Sequence, residues 1–86
     1  MLKISYREQF LKDLKSIRDK PVRDRIVQKT LEFEKHDEPL GKKLSNSPYW
    51  SARVGKYRII FGKEGDNIDF LKVIARKFNY RELRRL

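Results

Sequence analysis

The chain of 86 residues carries 22 Lys and Arg against 12 Asp and Glu, a formal net charge of +10, with one His and no Cys. This excludes disulfides and thiolate metal centres, and a lone His does not build a zinc site without unusual help from carboxylates. No apolar run approaches the ~20 residues a membrane span needs, no signal-peptide pattern opens the chain, and Cys is absent, so the expectation is a single domain over residues 1–86, cytoplasmic, without a membrane partner.

Residues 2–5, Leu-Lys-Ile-Ser, alternate apolar and polar side chains and predict a short first strand. Ser5-Tyr6-Arg7-Glu8 has the S-x-x-E form of a capping box, which predicts a helix beginning there. Phe10, Leu11, Leu14 and Ile17 recur at helical spacing through about Asp19. Pro21 suits the first turn of a second helix, in which Val22, Ile26, Val27, Thr30, Leu31 and Phe33 carry the apolar stripe to about Lys35. The remaining helical positions mix signs, as Asp13 does with Lys12 and Lys15, and read as solvated outer faces. Residues 36–41 break the helix, and residues 42–48 form a polar loop.

Residues 49–62, YWSARVGKYRIIFG, predict a hairpin turning at Gly55-Lys56, because the first position of a type II′ turn needs a positive φ that Gly adopts without strain. Counting outward pairs Val54 with Tyr57, Arg53 with Arg58, Ala52 with Ile59, Ser51 with Ile60 and Trp50 with Phe61. Alternation then puts Trp50, Ala52, Val54, Tyr57, Ile59 and Phe61 on a core-facing side and the two arginines together on the other. Like charges directly opposite are unfavourable by roughly 0.2–1 kcal/mol, so a partner or a use must offset them. Asp69 or Glu82 could serve as structural partners.

Residues 64–67, Glu-Gly-Asp-Asn, signal a second turn, and residues 68–75 a last strand. Counting from it sets Phe70 near Phe61 and Val73 near Arg58, unless a bulge shifts the pairing. Residues 78–86 read as a short basic helix or a tail. The whole predicts an α+β fold: an N-terminal strand, two antiparallel helices packed on one face of a mainly antiparallel four-stranded sheet, and a short C-terminal helix, in the order β-α-α-β-β-β-α. The far sheet face, with Ser51, Arg53, Arg58, Ile60, and Leu71 and Val73 as further candidates, is left open or partly covered by the C-terminal segment.

Charge placement points at that face. Residues 1–40 carry a net +2 and residues 41–86 a net +8, and between Gly41 and Gly62 lie Lys42, Lys43, Arg53, Lys56 and Arg58 with no acid. Such asymmetry is the footprint of a polyanion partner, nucleic acid first. Cleavage of RNA by its own 2′-hydroxyl needs a base for the hydroxyl proton, positive donors on the phosphorane and an acid for the leaving oxygen, and it requires no metal or cofactor. Clustered Arg is an excellent phosphate clamp and a poor base. This leaves a lysine that can shed its proton, Lys77 being the nearest candidate and Lys56 a more remote one. His36, among charges at the end of the second helix, reads as solvated. Trp50, Tyr57 and Phe61 read as core, whereas Tyr80 suits base stacking and sheet packing equally.

The order of elements, the P-Y-W-S-A-R-V-G-K-Y-R-I-I-F block, the preceding G-K-K-L and the closing I-A-R-K-F-N-Y resemble the RelE/ParE superfamily of type II toxins over nearly the whole chain. In the RelE branch the resemblance implies a ribosome-dependent mRNA interferase, an endoribonuclease that cuts the codon in the ribosomal A site, inhibits translation and is silenced by a RelB-like antitoxin. Arg58 matches a position assigned to phosphate stabilisation, and Arg53 a basic position on the preceding strand that contacts RNA or takes part in proton transfer. Arg76 resembles the arginine at the end of the last strand with a proton-donating or transition-state role, and Tyr80 the aromatic that stacks on a base. Ser51 stands where some members have a basic residue, and Ala75 where many have His. The resulting catalytic set is Arg53, Arg58, Arg76, Lys77 and Tyr80, with Lys42, Lys43, Ser51, Lys56, Arg81, Arg84 and Arg85 as RNA or ribosome contacts. The expected partners are mRNA, the ribosome and an acidic antitoxin segment in a toxin–antitoxin hetero-oligomer. A ParE-like DNA gyrase inhibitor, a catalytically degenerate homologue and a basic nucleic-acid-binding module are the alternatives.

Overall fold

The computed structural model describes residues 1–75. Strand β1 (Lys3–Tyr6) leads into helices α1 (Glu8–Ser16) and α2 (Lys20–Glu32), and α2 tightens into a 3-10 turn at Phe33–Lys35. Then follow β2 (Lys42–Lys43), β3 (Tyr49–Val54), β4 (Tyr57–Glu64) and β5 (Asn67–Ala75). The sheet order is β1-β5-β4-β3-β2, with β1 parallel to β5 and the other pairs antiparallel. The α+β arrangement is the one expected, and β1 lies at a sheet edge as predicted. The two-residue strand β2 lies within the segment read as a loop and makes the sheet five-stranded. The C-terminal helix expected at residues 78–86 lies outside the described residues.

Both helices bury their stripes against one sheet face. Phe10 from α1, Ile17 just after it, and Ile26 from α2, with Phe33 just beyond, join Ala52, Ile59, Phe61, Ile68, Phe70 and Val73 in the core. Phe33 meets Phe61 and Phe70 edge-on, each at 5.0 Å between ring centroids, the geometry that opposes the positive edge of one ring to the negative face of another. Trp50 and Tyr57 are half-buried against this cluster, as read from the sequence. Leu11 and Leu31, counted in the apolar stripes, are instead exposed.

The capping box does not form. Ser5 belongs to β1 and its hydroxyl donates to Asp69 Oδ1 at 3.2 Å, while Arg7 precedes α1 without a side-chain cap. Pairing of β1 with β5 outweighs the local cap, because it supplies several backbone hydrogen bonds where the cap supplies one or two. The second helix starts as its sequence suggests: the Asp19 carboxylate accepts from the Val22 N–H at 3.4 Å and Pro21 occupies the first turn.

The β3–β4 hairpin has the predicted register in all five pairs, with Arg53 directly opposite Arg58. Gly55 has φ 58° and Lys56 does not share a positive φ, which is the type II′ combination. In β4–β5, Phe61 faces Phe70 as expected, but a bulge in β5 at Leu71, opposite the step from Ile60 to Phe61, sets Ile60 against Lys72, Ile59 against Val73 and Arg58 against Ile74. Val73 therefore does not lie near Arg58; it points into the core. Phe70 and Val73 are three residues apart and both core-facing, and a period-two strand accommodates that only with one extra residue, here Leu71.

Candidate nucleic-acid interface

The sheet face turned away from the helices follows from the registers. Lys42 faces Ser51, Ser51 faces Ile60, and Ile60 faces Lys72, forming one row across four strands. The adjacent row is Arg53, Arg58 and Ile74. Directly opposed residues share a side of the sheet, so these seven residues share one face. Ile60 and Ile74 at its middle are buried, so that part of the face is not open, whereas Lys42 and Arg53 are exposed and Arg58 and Lys72 half-buried.

A groove of about 1030 Å³ opens on this face, lined by residues 41–48 together with Tyr49, Ser51, Arg53 and Arg58. Its outer wall is the β2–β3 connection. Asn46 adopts φ 56°, the Leu44 N–H donates to the Tyr49 carbonyl at 2.9 Å, and the Tyr49 N–H donates to Ser47 Oγ at 3.1 Å. Gly41 anchors the wall: it has φ 133°, and a Cβ there would lie 2.3 Å from the Ser51 carbonyl oxygen, so only a glycine lets β2 approach β3 this closely.

Of the residues singled out from the sequence, Lys42, Lys43, Ser51, Arg53 and Arg58 meet at this groove. Lys56 sits exposed at the hairpin tip and does not line it. Arg76, Lys77, Tyr80, Arg81, Arg84 and Arg85 lie outside the described residues, as does Glu82. Ala75 ends β5 opposite Tyr57.

The structural alternative for the arginine pair loses its described carboxylate. Asp69 accepts from Arg7 Nε at 2.5 Å and from Ser5, and it pairs with Gly62, four residues along β4 from Arg58 or roughly 13 Å at strand rise. Arg53 Nε has a 3.5 Å contact to the Gly55 carbonyl, and no carboxylate among the described residues forms an ion pair with Arg53. His36 is exposed, its main chain bonded to Leu2 and Phe33. Among the described residues no group of three or more His, Asp or Glu side chains is gathered as a metal site would be, and no helix is long and apolar enough to cross a membrane.

Sequence reading missed the placement of two side chains. Lys72 reaches this face only because the bulge exchanges Leu71 and Val73 for Lys72 and Ile74. The spacing of Phe70 and Val73 is the signal that could have revealed it. Asp13, assigned to a solvated helix face, instead extends to the sheet, where its Oδ2 accepts from the Val73 N–H at 3.0 Å while Gln9 donates to its Oδ1 at 2.7 Å. The register of β1 against β5 ends at Phe70, so β1 does not reach this amide.

Comparison with known proteins agrees with this fold. Residues 4–80 match the family described as the ParE toxin of the type II toxin–antitoxin system parDE. The RelB–RelE antitoxin–toxin complex from Methanococcus jannaschii contains a chain 30% identical, with 88% of this chain and 94% of that chain covered and a TM-score of 0.73. The toxin–antitoxin complex RelBE2 from Mycobacterium tuberculosis is similar in fold at 19% identity, with 87% and 98% covered and a TM-score of 0.76. The isolated Escherichia coli RelE toxin is similar in fold at 15% identity over 100% of both chains, with a TM-score of 0.66. No curated protein matches the sequence at a significant level. The chain belongs to the RelE/ParE superfamily, the toxins of type II toxin–antitoxin systems.

Proposed function

We propose that this toxin is a metal-independent, ribosome-dependent mRNA endonuclease. The observation that carries the reading is the Arg53–Arg58 pair, held directly opposite on the face of the β3–β4 hairpin that lines the groove, with Asp69 occupied elsewhere. Cα atoms so paired lie about 4.5–5.5 Å apart, close enough for two guanidinium forks to converge on one phosphate. In the reaction the 2′-hydroxyl oxygen attacks the adjacent phosphorus, the P–O5′ bond breaks, and a cyclic phosphate and a 5′-hydroxyl end result. Two guanidinium groups stabilise the phosphorane charge, the kind of preorganised electrostatic help that gives about 10²–10³ in rate per donor. Arg76, Lys77 and Tyr80 are proposed to complete the site, with Lys77 as a base or proton carrier and Tyr80 stacking on a base. Lys42, Lys43, Ser51, Lys56, Arg81, Arg84 and Arg85 are proposed contacts to RNA or the ribosome. Positioning of the message by the ribosome suits a site that holds phosphate well and has no described general base.

The proposed partner in the silenced state is a cognate antitoxin whose acidic segment neutralises this face, in the cytoplasm. The antitoxin–toxin complex from M. jannaschii supports it. Isothermal titration with the neighbouring reading frame's product tests it, and absence of heat at micromolar concentration opposes it.

The match to the ParE toxin family favours a second reading, poisoning of DNA gyrase. A paired reaction separates the two. The purified chain is added to an in vitro translation mixture and to a gyrase supercoiling assay. Loss of translation with intact supercoiling supports the nuclease, and the reverse supports the gyrase poison.

A further inference from the structure

We propose that Tyr49 is a base-stacking platform of the groove, seating the base of a nucleotide a short run of backbone away from the phosphate held by the Arg53–Arg58 pair. The proposal rests on the nuclease reading and adds to it a residue that grips a base rather than a phosphate.

Tyr49, Ser51 and Arg53 alternate along β3 on the face that lines the groove. Every other aromatic side chain among the described residues serves the opposite face. Phe10, Phe33, Phe61 and Phe70 are core, Trp50 and Tyr57 pack against it, and the Tyr6 ring lies on Phe10 and Phe70. Tyr49 takes no part in that cluster and is half-buried in the groove instead. There its ring offers a single strand a flat apolar face for a base, beside cations for the backbone.

The two ends of the groove differ as the two parts of a nucleotide do. At Arg53 and Arg58 the groove is cationic. Four residues back along β3, roughly 13 Å at strand rise, Leu44, Pro48 and Tyr49 make it apolar. Across the ladder from Tyr49 stands Gly62, so no β4 side chain crowds the ring at that pair, and a Cβ there would meet Leu71 Cδ1 at 4.0 Å, an ordinary contact. The next residue of that row is Asp69, whose carboxylate is engaged by Arg7 and Ser5 and repels a phosphate. This end therefore suits an uncharged base. The main chain holds the ring in position: the Tyr49 N–H donates to Ser47 Oγ at 3.1 Å and the Tyr49 carbonyl accepts from the Leu44 N–H at 2.9 Å. A purely structural use, shielding Gly62 as aromatic rings do in strands, would stabilise the fold and leave RNA affinity alone.

The test is binding of a short single-stranded 2′-O-methyl oligoribonucleotide, which lacks the attacking hydroxyl, followed by fluorescence anisotropy over a series of salt concentrations. Tyr49→Leu is expected to weaken binding about 5–150-fold, the loss of one stacked base, and Tyr49→Phe to bind as wild type does. Because no charge is lost, the slope of log K against log salt stays that of wild type in Tyr49→Leu, whereas Arg53→Ala lowers its magnitude by about 0.7. Wild-type affinity in Tyr49→Leu while Arg53→Ala lowers the slope would overturn the role of Tyr49 and leave the RNA reading standing. A slope lowered in Tyr49→Leu as well would show that Tyr49 shapes the groove without stacking, and would overturn the proposal. Unchanged binding in both variants would overturn both readings. A second measurement removes the bases instead: an abasic oligomer of the same length and charge is expected to bind wild type more weakly than the complete one, with a smaller penalty in Tyr49→Leu. Equal penalties in the two proteins contradict stacking.

Discussion

Asp13 on α1 and Val73 on β5 are joined across the helix–sheet layer, the aspartate carboxylate accepting the valine amide at 3.0 Å beside the bulge in β5. Gln9 holds the other carboxylate oxygen. A hydrogen bond to a charged acceptor contributes about 1.5–3 kcal/mol, less where water reaches the group, as it does at half-buried Asp13. Asp13→Ala is expected to destabilise the fold by about 1–2 kcal/mol in urea denaturation, and Asp13→Asn, which keeps an acceptor, by less. Equal stability of wild type and Asp13→Ala would show that the bulge does not depend on the helix.

Gly41 makes a sharper demand. With φ 133° and the Ser51 carbonyl 2.3 Å from where a Cβ would sit, Gly41→Ala must displace β2 from β3. Forcing such a backbone costs on the order of 1–3 kcal/mol. Hydrogen exchange is expected to quicken at the Leu44 amide, which is bonded to the Tyr49 carbonyl, while the Ile59 amide in the hairpin core keeps its protection. Retained protection at Leu44 would show that the wall tolerates the methyl group.

Arg53 separates stability from activity. Arg53→Thr removes one of two opposed like charges and puts a β-branched residue on a strand, so the fold is expected to gain about 0.2–1 kcal/mol. Message cleavage is expected to fall about 10²–10³-fold. A variant that loses stability and keeps activity would assign Arg53 a structural role instead.

The Tyr6 hydroxyl lies 2.7 Å from Thr30 Oγ1, which itself donates to the Val27 carbonyl at 2.6 Å. Thr30 has one hydroxyl proton, so Tyr6 is the donor in the first bond. It ties β1 to buried Thr30 of α2. Tyr6→Phe is expected to lower stability by about 0.5–1.5 kcal/mol and Tyr6→Ala by more, since its ring also stacks on Phe70 at 5.6 Å. Thermal melts of the two variants check the order.

What the sequence disclosed depended on the range of each interaction. The β3–β4 hairpin was legible to the residue because Gly55 fixes the turn and alternation does the rest. The capping box at Ser5 and Glu8 misled because a strand from the opposite end of the chain claims Ser5, and no local pattern announces a parallel partner. The same limit hid Lys72 and Asp13: the bulge is settled by the core demanding both Phe70 and Val73, and by a carboxylate 60 residues earlier in the chain. The charge asymmetry between the halves pointed to one sheet face, and Arg53, Arg58, Ser51 and Lys42 share it, while Lys43, opposite Trp50, lines the groove from β2. Strand β2 was obscured because two lysines carry no strand pattern, and only the approach permitted by Gly41 makes them one.

The most direct test of the account maps RNA 5′ ends by primer extension after the purified toxin is mixed with ribosomes stalled on a defined message, with Arg53→Ala and Arg58→Ala in parallel. The account predicts a cut within the A-site codon that each substitution reduces about 10²–10³-fold while the variants remain folded. Cleavage that persists in both folded variants, or no cut by wild type on ribosomes of a suitable host, would contradict it.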